Sequence, residues 1–323
     1  MSRDIAVLYD APGPRARRVT LIVSIVAGAL LVLAAYVFVY RPLERNGQFT
    51  MAKWGPLIDP SNAVFTQLWR RLRQGFTATL TAAACAIVAS LVVGTALALL
   101  RIQLKAMTRR RFDNHATPVT YGLRVVSRVL NLVTRFCVEI FRGTPVVITI
   151  LFVWIGLPQF GIRFDQALWY LVIGLTIYNS IVIGEILRSG MEGLPSGQRE
   201  AAESLGLSAF QTTRMILLPQ AFRIMLPALI SQLVVVLKDT SLGFIIGYEE
   251  VLAVSTQVIQ ILGNPIQIYF VVGVIFVLVN YALSKLAEYL QRRLARGRRA
   301  IPVPRGPAAG TQLETEAVLG TTT

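Results

Sequence analysis

Charged residues stand in three places where apolar sequence surrounds them. The first is the run Arg199-Glu200-Ala201-Ala202-Glu203-Ser204-Leu205-Gly206-Leu207-Ser208. The second is Lys238-Asp239-Thr240-Ser241-Leu242, and the third comprises Glu139, Arg142 and Glu185 near the ends of apolar stretches. Glu200 and Glu203 can meet basic groups on a partner. A charge inside a bilayer must face protein or a water-filled cavity, so Lys238 and Asp239 read as a pathway or gate, or as a pair that fixes helix packing. None of this is catalytic chemistry. The one histidine, His115, can build neither a multi-histidine metal site nor a hydrolase triad. Cys85 and Cys137 lack metal-ligand spacing and read as small packing residues. The sequence contains no GxxxxGK[ST], HExxH or GxSxG, so nothing argues for an enzyme.

The elements that must position these residues are membrane helices. The chain is 54% hydrophobic and 15% charged, with a mean hydropathy of +0.59. Six apolar runs, near 19–40, 75–100, 136–157, 166–188, 224–247 and 266–290, reach about the 20 residues that a bilayer requires. The fold class is therefore all-α integral membrane. Basic residues beside the spans set orientation rather than a nucleic-acid footprint, despite a net charge of +15. With both termini in the cytoplasm, the inside segments 1–18, 101–135, 189–223 and 291–323 hold dense arginine and lysine clusters. The outside segments 158–165 and 248–265 hold only Arg163. Loop 41–74 breaks the rule with Arg41, Arg45, Lys53, Arg70, Arg71 and Arg73. There Phe65, Leu68, Trp69 and Leu72 recur at helical spacing after Pro60-Ser61-Asn62, which predicts an amphipathic helix lying in the membrane interface.

Segments 1–74, 75–293 and 294–323 divide the chain into an N-terminal tail with first span and outer loop, a core, and a basic tail. The last reads as disordered from its prolines and its Gly-Thr-Thr-Thr ending. Segment 101–135, centred on Arg109-Arg110-Arg111, is a basic insertion: a helical hairpin, a headgroup contact or slack. Within 190–223, Ser196 offers an N-cap and Gly206 a stop for a first short helix. Ser208 and Gln211 have capping-box spacing and start a second, limited by Pro219. Two short helices joined at Gly206 make a knob, with Ala201, Ala202 and Leu205 as a small apolar face.

The ordered run of Glu-Ala-Ala, Gly206, Leu218-Pro219-Gln220-Ala221 and Lys238-Asp239-Thr240-Ser241-Leu242 resembles the permease subunit of ATP-binding-cassette importers for polar amino acids, of the glutamate, glutamine and histidine type. Phe141-Arg142-Gly143-Thr144-Pro145 and Gly184-Glu185-Ile186-Leu187-Arg188-Ser189-Gly190 add to the match. It covers about 75–100 and 136–293. It leaves out the first span, the insertion and the tail. The resemblance implies a five-helix type I importer core preceded by one extra helix. It makes Glu200, Ala201, Ala202, Glu203, Leu205, Gly206 and Leu207 the contact with a separate ATPase that binds ATP and Mg. It also implies a second permease subunit, identical or related, and an extracytoplasmic amino-acid-binding protein. The opening Leu8-Tyr9-Asp10-Ala11-Pro12-Gly13-Pro14 resembles some glutamate-importer permeases, which suggests an acidic amino acid as substrate. Two rival readings are a transporter or channel driven by an ion gradient, and a membrane anchor. The first accounts for the intramembrane charges and neither accounts for a capped, glycine-jointed knob.

Overall fold

The computed structural model describes residues 13–109 and 118–295. His115, the centre of the arginine run at 110–111, most of the Leu8–Pro14 stretch and the tail from 296 onward lie outside the described residues. Ten helical elements make up the described chain: α1 (Pro14–Arg45), α2 (Met51–Ile58), α3 (Phe65–Arg109), α4 (Pro118–Gly143), α5 (Val146–Gln159), α6 (Ala167–Glu192), α7 (Ser196–Ser204), α8 (Ala209–Ile246), α9 (Val251–Leu262) and α10 (Pro265–Ala295). No strand occurs among the described residues. Among the described residues five helices are long and apolar enough to cross a membrane, or six when the bent pair α4 and α5 is counted as one span.

The centre of the bundle is a close contact of α3 with α6. Gly94 and Gly184 permit it. A Cβ on Gly94 would sit 2.8 Å from the Ser180 carbonyl oxygen, and one on Gly184 would sit 3.0 Å from the Gly94 carbonyl oxygen. Small residues at such positions let helix backbones approach where lipid supplies no hydrophobic drive. Three apolar clusters follow α3 along its length, two of them shared with α6. Ala86, Ile150, Leu171 and Leu175 form the middle one. Leu187, Met191, Leu217 and Ala221 form the one nearest α7. Leu68, Leu72, Val251 and Ile268 form the third, at the far end. Inside the bundle Asn179 donates to the Leu175 carbonyl at 2.9 Å and accepts from Gln232 at 2.7 Å, so α6 and α8 share a buried polar link.

Four expectations are corrected. The stretch 136–157 is not one straight helix: α4 and α5 meet at a bend of 109° around Thr144-Pro145. Pro145 cannot continue the ladder and pushes the residue before it out of the helical region. Residues 60–74 do not form a separate interfacial helix. The predicted stripe belongs to α3, and Leu68 and Leu72 are buried against α9 and α10. Segment 248–265 is not a plain loop, because it contains α9. Finally, Pro219 does not end a helix. The turn before it widens over Thr212–Leu217, where the Leu218 N–H bonds the carbonyl of Thr213 five residues back, and α8 passes through the proline unbroken.

The start of α9 shows why that helix forms. Glu250 accepts from the backbone N–H groups of Leu252 (2.9 Å) and Ala253 (2.8 Å), and Gly263 ends the helix with φ +59°. Glu250 lies between the spans and is fully buried. Burial pushes its carboxyl up to about 7, against the pull of the two N–H groups. A carboxyl raised above its ordinary 4.5 favours the folded state while protonated, so this contribution is lost as pH rises through the folded value. Glu250→Gln keeps an acceptor without a charge. It should flatten the fall in melting temperature between about pH 4.5 and pH 7. Glu250→Ala should cost about 1 kcal/mol near pH 5 and less as pH rises, read in the same melts.

Candidate functional site: the capped knob and the ion ladder beside it

The knob forms where α6 ends. Helix α7 runs from Ser196 to Ser204, and Ser196 is its first helical residue rather than a side-chain cap. Gly206 adopts φ +77°, and no atom would lie within 4 Å of a Cβ there. Its N–H bonds the Glu203 carbonyl (2.9 Å) while the Leu207 N–H reaches back to that of Ala202 (3.1 Å), closing the open end of the helix. The Ser208–Gln211 capping box is present in both directions, at 2.9 and 3.3 Å. Ala202 is turned inward at 2% exposure, so it does not share the outer face with Ala201 and Leu205. Leu205 is 80% exposed. Glu200 and Glu203 are exposed and have no ion-pair partner among the described residues. The knob thus presents a leucine and two carboxylates to the surroundings. Gln220 of α8 donates to the Gln198 side chain at 3.3 Å and ties α7 to the next helix.

Glu185 belongs to a ladder between α3 and α6. It pairs with Arg101 across the helices and with Arg188 one turn on. Arg188 and Lys105 both reach Glu192, each at 2.6 Å. Gln103, between the two basic residues of α3, donates to the Ala209 carbonyl (3.3 Å) and the Thr213 hydroxyl (3.2 Å) at the start of α8. Sequence reading missed Arg101, Gln103, Lys105 and Glu192 as a group. The signal was available: Arg101 and Lys105 are four apart, and Glu185, Arg188 and Glu192 fall on one face of a helix. Glu139 and Arg142 do not join this ladder. Both are exposed on α4, with no ion pair among the described residues. Cys137 is also exposed there rather than packed in a core.

Lys238 and Asp239 close the last α-turn of α8 before it tightens over Thr240–Ile246. Thr240 is buried, its hydroxyl bonded to the Leu237 carbonyl at 2.6 Å. Asp239 makes no side-chain cap, and no ion pair joins it to Lys238 among the described residues. Lys238 is exposed and opens, with Ser231, Ser284 and Glu288, on a groove of about 380 Å³ between α8 and α10.

Residues 117–296, more than half the chain, match the family model described as the inner membrane component of binding-protein-dependent transport systems. The chain belongs to this family. The permease is 39% identical to the glutamate transport system permease protein GluD of Corynebacterium glutamicum, over 79% of this chain and 85% of that one. It is 36% identical to the probable glutamine ABC transporter permease protein GlnP of Bacillus subtilis, over 51% and 77%. Its fold resembles a crystal structure of an amino acid ABC transporter with histidines, with a TM-score of 0.56 at 24% identity over 71% of the permease and 96% of that chain. The permease is thus a polar amino acid importer subunit and a multi-pass protein of the bacterial plasma membrane. Proteins of this family are membrane subunits, not enzymes.

Proposed function

We propose that this permease forms half of the pathway of an ATP-driven importer for acidic amino acids, glutamate foremost. Two such subunits, identical or related, would enclose the pathway. An extracytoplasmic binding protein would deliver the substrate. Two cytoplasmic ATPases would hold ATP and Mg²⁺ and grip the knobs. With both termini in the cytoplasm, the knob faces those ATPases. Closing the ATPase pair on ATP would move the knobs and turn the cavity outward, and hydrolysis would reset it. The observation that carries this reading is the knob: a glycine-jointed projection whose exposed Leu205, Glu200 and Glu203 have no partner within the described chain. The substrate assignment is supported by the 39% identity to a glutamate permease across most of both chains.

Leu205→Asp tests the contact. An exposed leucine contributes little to the fold, so the variant's melting temperature should stay that of the wild type. Loss of a central interface anchor costs about 2 kcal/mol or more, which is about thirtyfold in Kd. Co-purification with the ATPase in detergent should fall accordingly. Undiminished co-purification would remove Leu205 from the contact.

A further inference from the structure

Helix α3 runs unbroken for 45 residues and touches both ends of the bundle. At one end it meets the second helix of the knob, through Gln103 on Ala209 and Thr213, and the pairs Arg101–Glu185 and Lys105–Glu192 tie it to the end of α6 from which the knob projects. At the other end it holds α9. Gly75 lies so close that a Cβ would be 2.9 Å from the Cα of Val251. Thr79 accepts from the Val251 N–H at 3.2 Å, and the Tyr248 hydroxyl donates to the Ala78 carbonyl at 2.9 Å. Gly75 and Gln103 are separated by about 40 Å at the helical rise per residue, the full thickness of a bilayer with its headgroups. Between them Gly94 locks α3 to α6 backbone to backbone.

Arg101, Glu185 and Arg188 are each less than a quarter exposed. Charges at that burial hold their geometry through paired hydrogen bonds, and removing one partner leaves the other uncompensated. Packed helices of this kind move as bodies, not by continuous bending.

We propose that α3 is a strut that moves with the knob as one body and carries its displacement to α9 at the opposite end of the bundle. Arg101, Gln103 and Lys105 are then positioning residues for coupling. This rests on the reading that the knob receives force from an ATPase, because a strut needs a driven end.

The test uses the assembled importer in proteoliposomes, with Cys85→Ala and Cys137→Ser as background. In that background Gln103→Cys with Thr213→Cys removes the polar link and offers two thiols in its place. While the thiols are reduced, uptake per ATP hydrolysed should fall about tenfold, the scale of a coupling change of one to two kcal/mol. Joining them with a short bifunctional methanethiosulfonate, from which each cysteine thiolate displaces a methanesulfinate as its disulfide forms, should restore the ratio. A cross-link that blocks uptake, with hydrolysis intact, would show that α3 and the knob must move apart, and would overturn the strut. An unchanged ratio in the reduced pair would overturn it equally. Gln103→Leu provides a second variant in case the cysteine pair folds poorly, and it should lower the same ratio without lowering ATP hydrolysis. Failure of the underlying reading looks different: wild-type uptake would not depend on ATP at all.

Discussion

Gly206→Pro should abolish uptake while leaving the permease in the membrane. Gly206 holds φ +77°, and proline is confined near −65°, so the joint cannot form. Proline also removes the N–H that bonds the Glu203 carbonyl. The local cost is about 3 kcal/mol or more, enough to unravel the end of α7. Nothing lies within 4 Å of a Cβ at this position, so the effect is one of backbone conformation and not of crowding. Gly206→Asn is the control. Asparagine tolerates the left-handed region and fits the open space, so this variant should keep most of its activity. Uptake by both variants, measured with equal amounts of protein in the membrane, separates the two explanations. If the proline variant transports normally, the joint is not needed.

The second large effect concerns the bundle itself. Gly94→Leu places a side chain where even a Cβ would meet the Ser180 carbonyl oxygen at 2.8 Å and Ile183 at 2.9 Å. These neighbours are backbone and a branched side chain that is fully buried, so neither can swing aside. Overpacking of this degree costs about 1–3 kcal/mol, and here α3 must also part from α6. The variant should melt well below the wild type in detergent, and the Glu185–Arg101 pair should be lost with it. Gly28→Leu on α1, where a Cβ meets nothing, should leave the melting temperature unchanged.

How far these features could be read from the sequence depends on which physical signal each one left. The knob was legible because capping chemistry is local. Gly206 and the Ser208–Gln211 box are set by residues within four positions of each other, and both formed as expected. The inward turn of Ala202 was not legible, since it depends on how α7 lies against the start of α8. The outer part of α3 was misread for a general reason: an amphipathic stripe looks the same whether it faces lipid headgroups or a neighbouring helix, and here α9 supplied the neighbour. Helix α9 was itself passed over because its 12 residues are too few to cross a bilayer, although Glu250 and Gly263 marked both of its ends. The interruption at Gly143-Thr144-Pro145 was visible as a break, but not as a bend of 109°, which is fixed by the packing of α5 on α6. The ladder at Glu185 was half-visible. Its cross-helix partners, Arg101 and Lys105, lie more than 80 residues away in sequence.

Coupling of the knob to ATP hydrolysis elsewhere is tested most directly by counterflow-free uptake of labelled glutamate into proteoliposomes that contain the permease, its ATPase and its binding protein, with ATP inside or outside and with ionophores present. Uptake should require ATP on the knob side and persist when ion gradients are collapsed. Uptake that proceeds without ATP and disappears with the gradient would contradict that coupling.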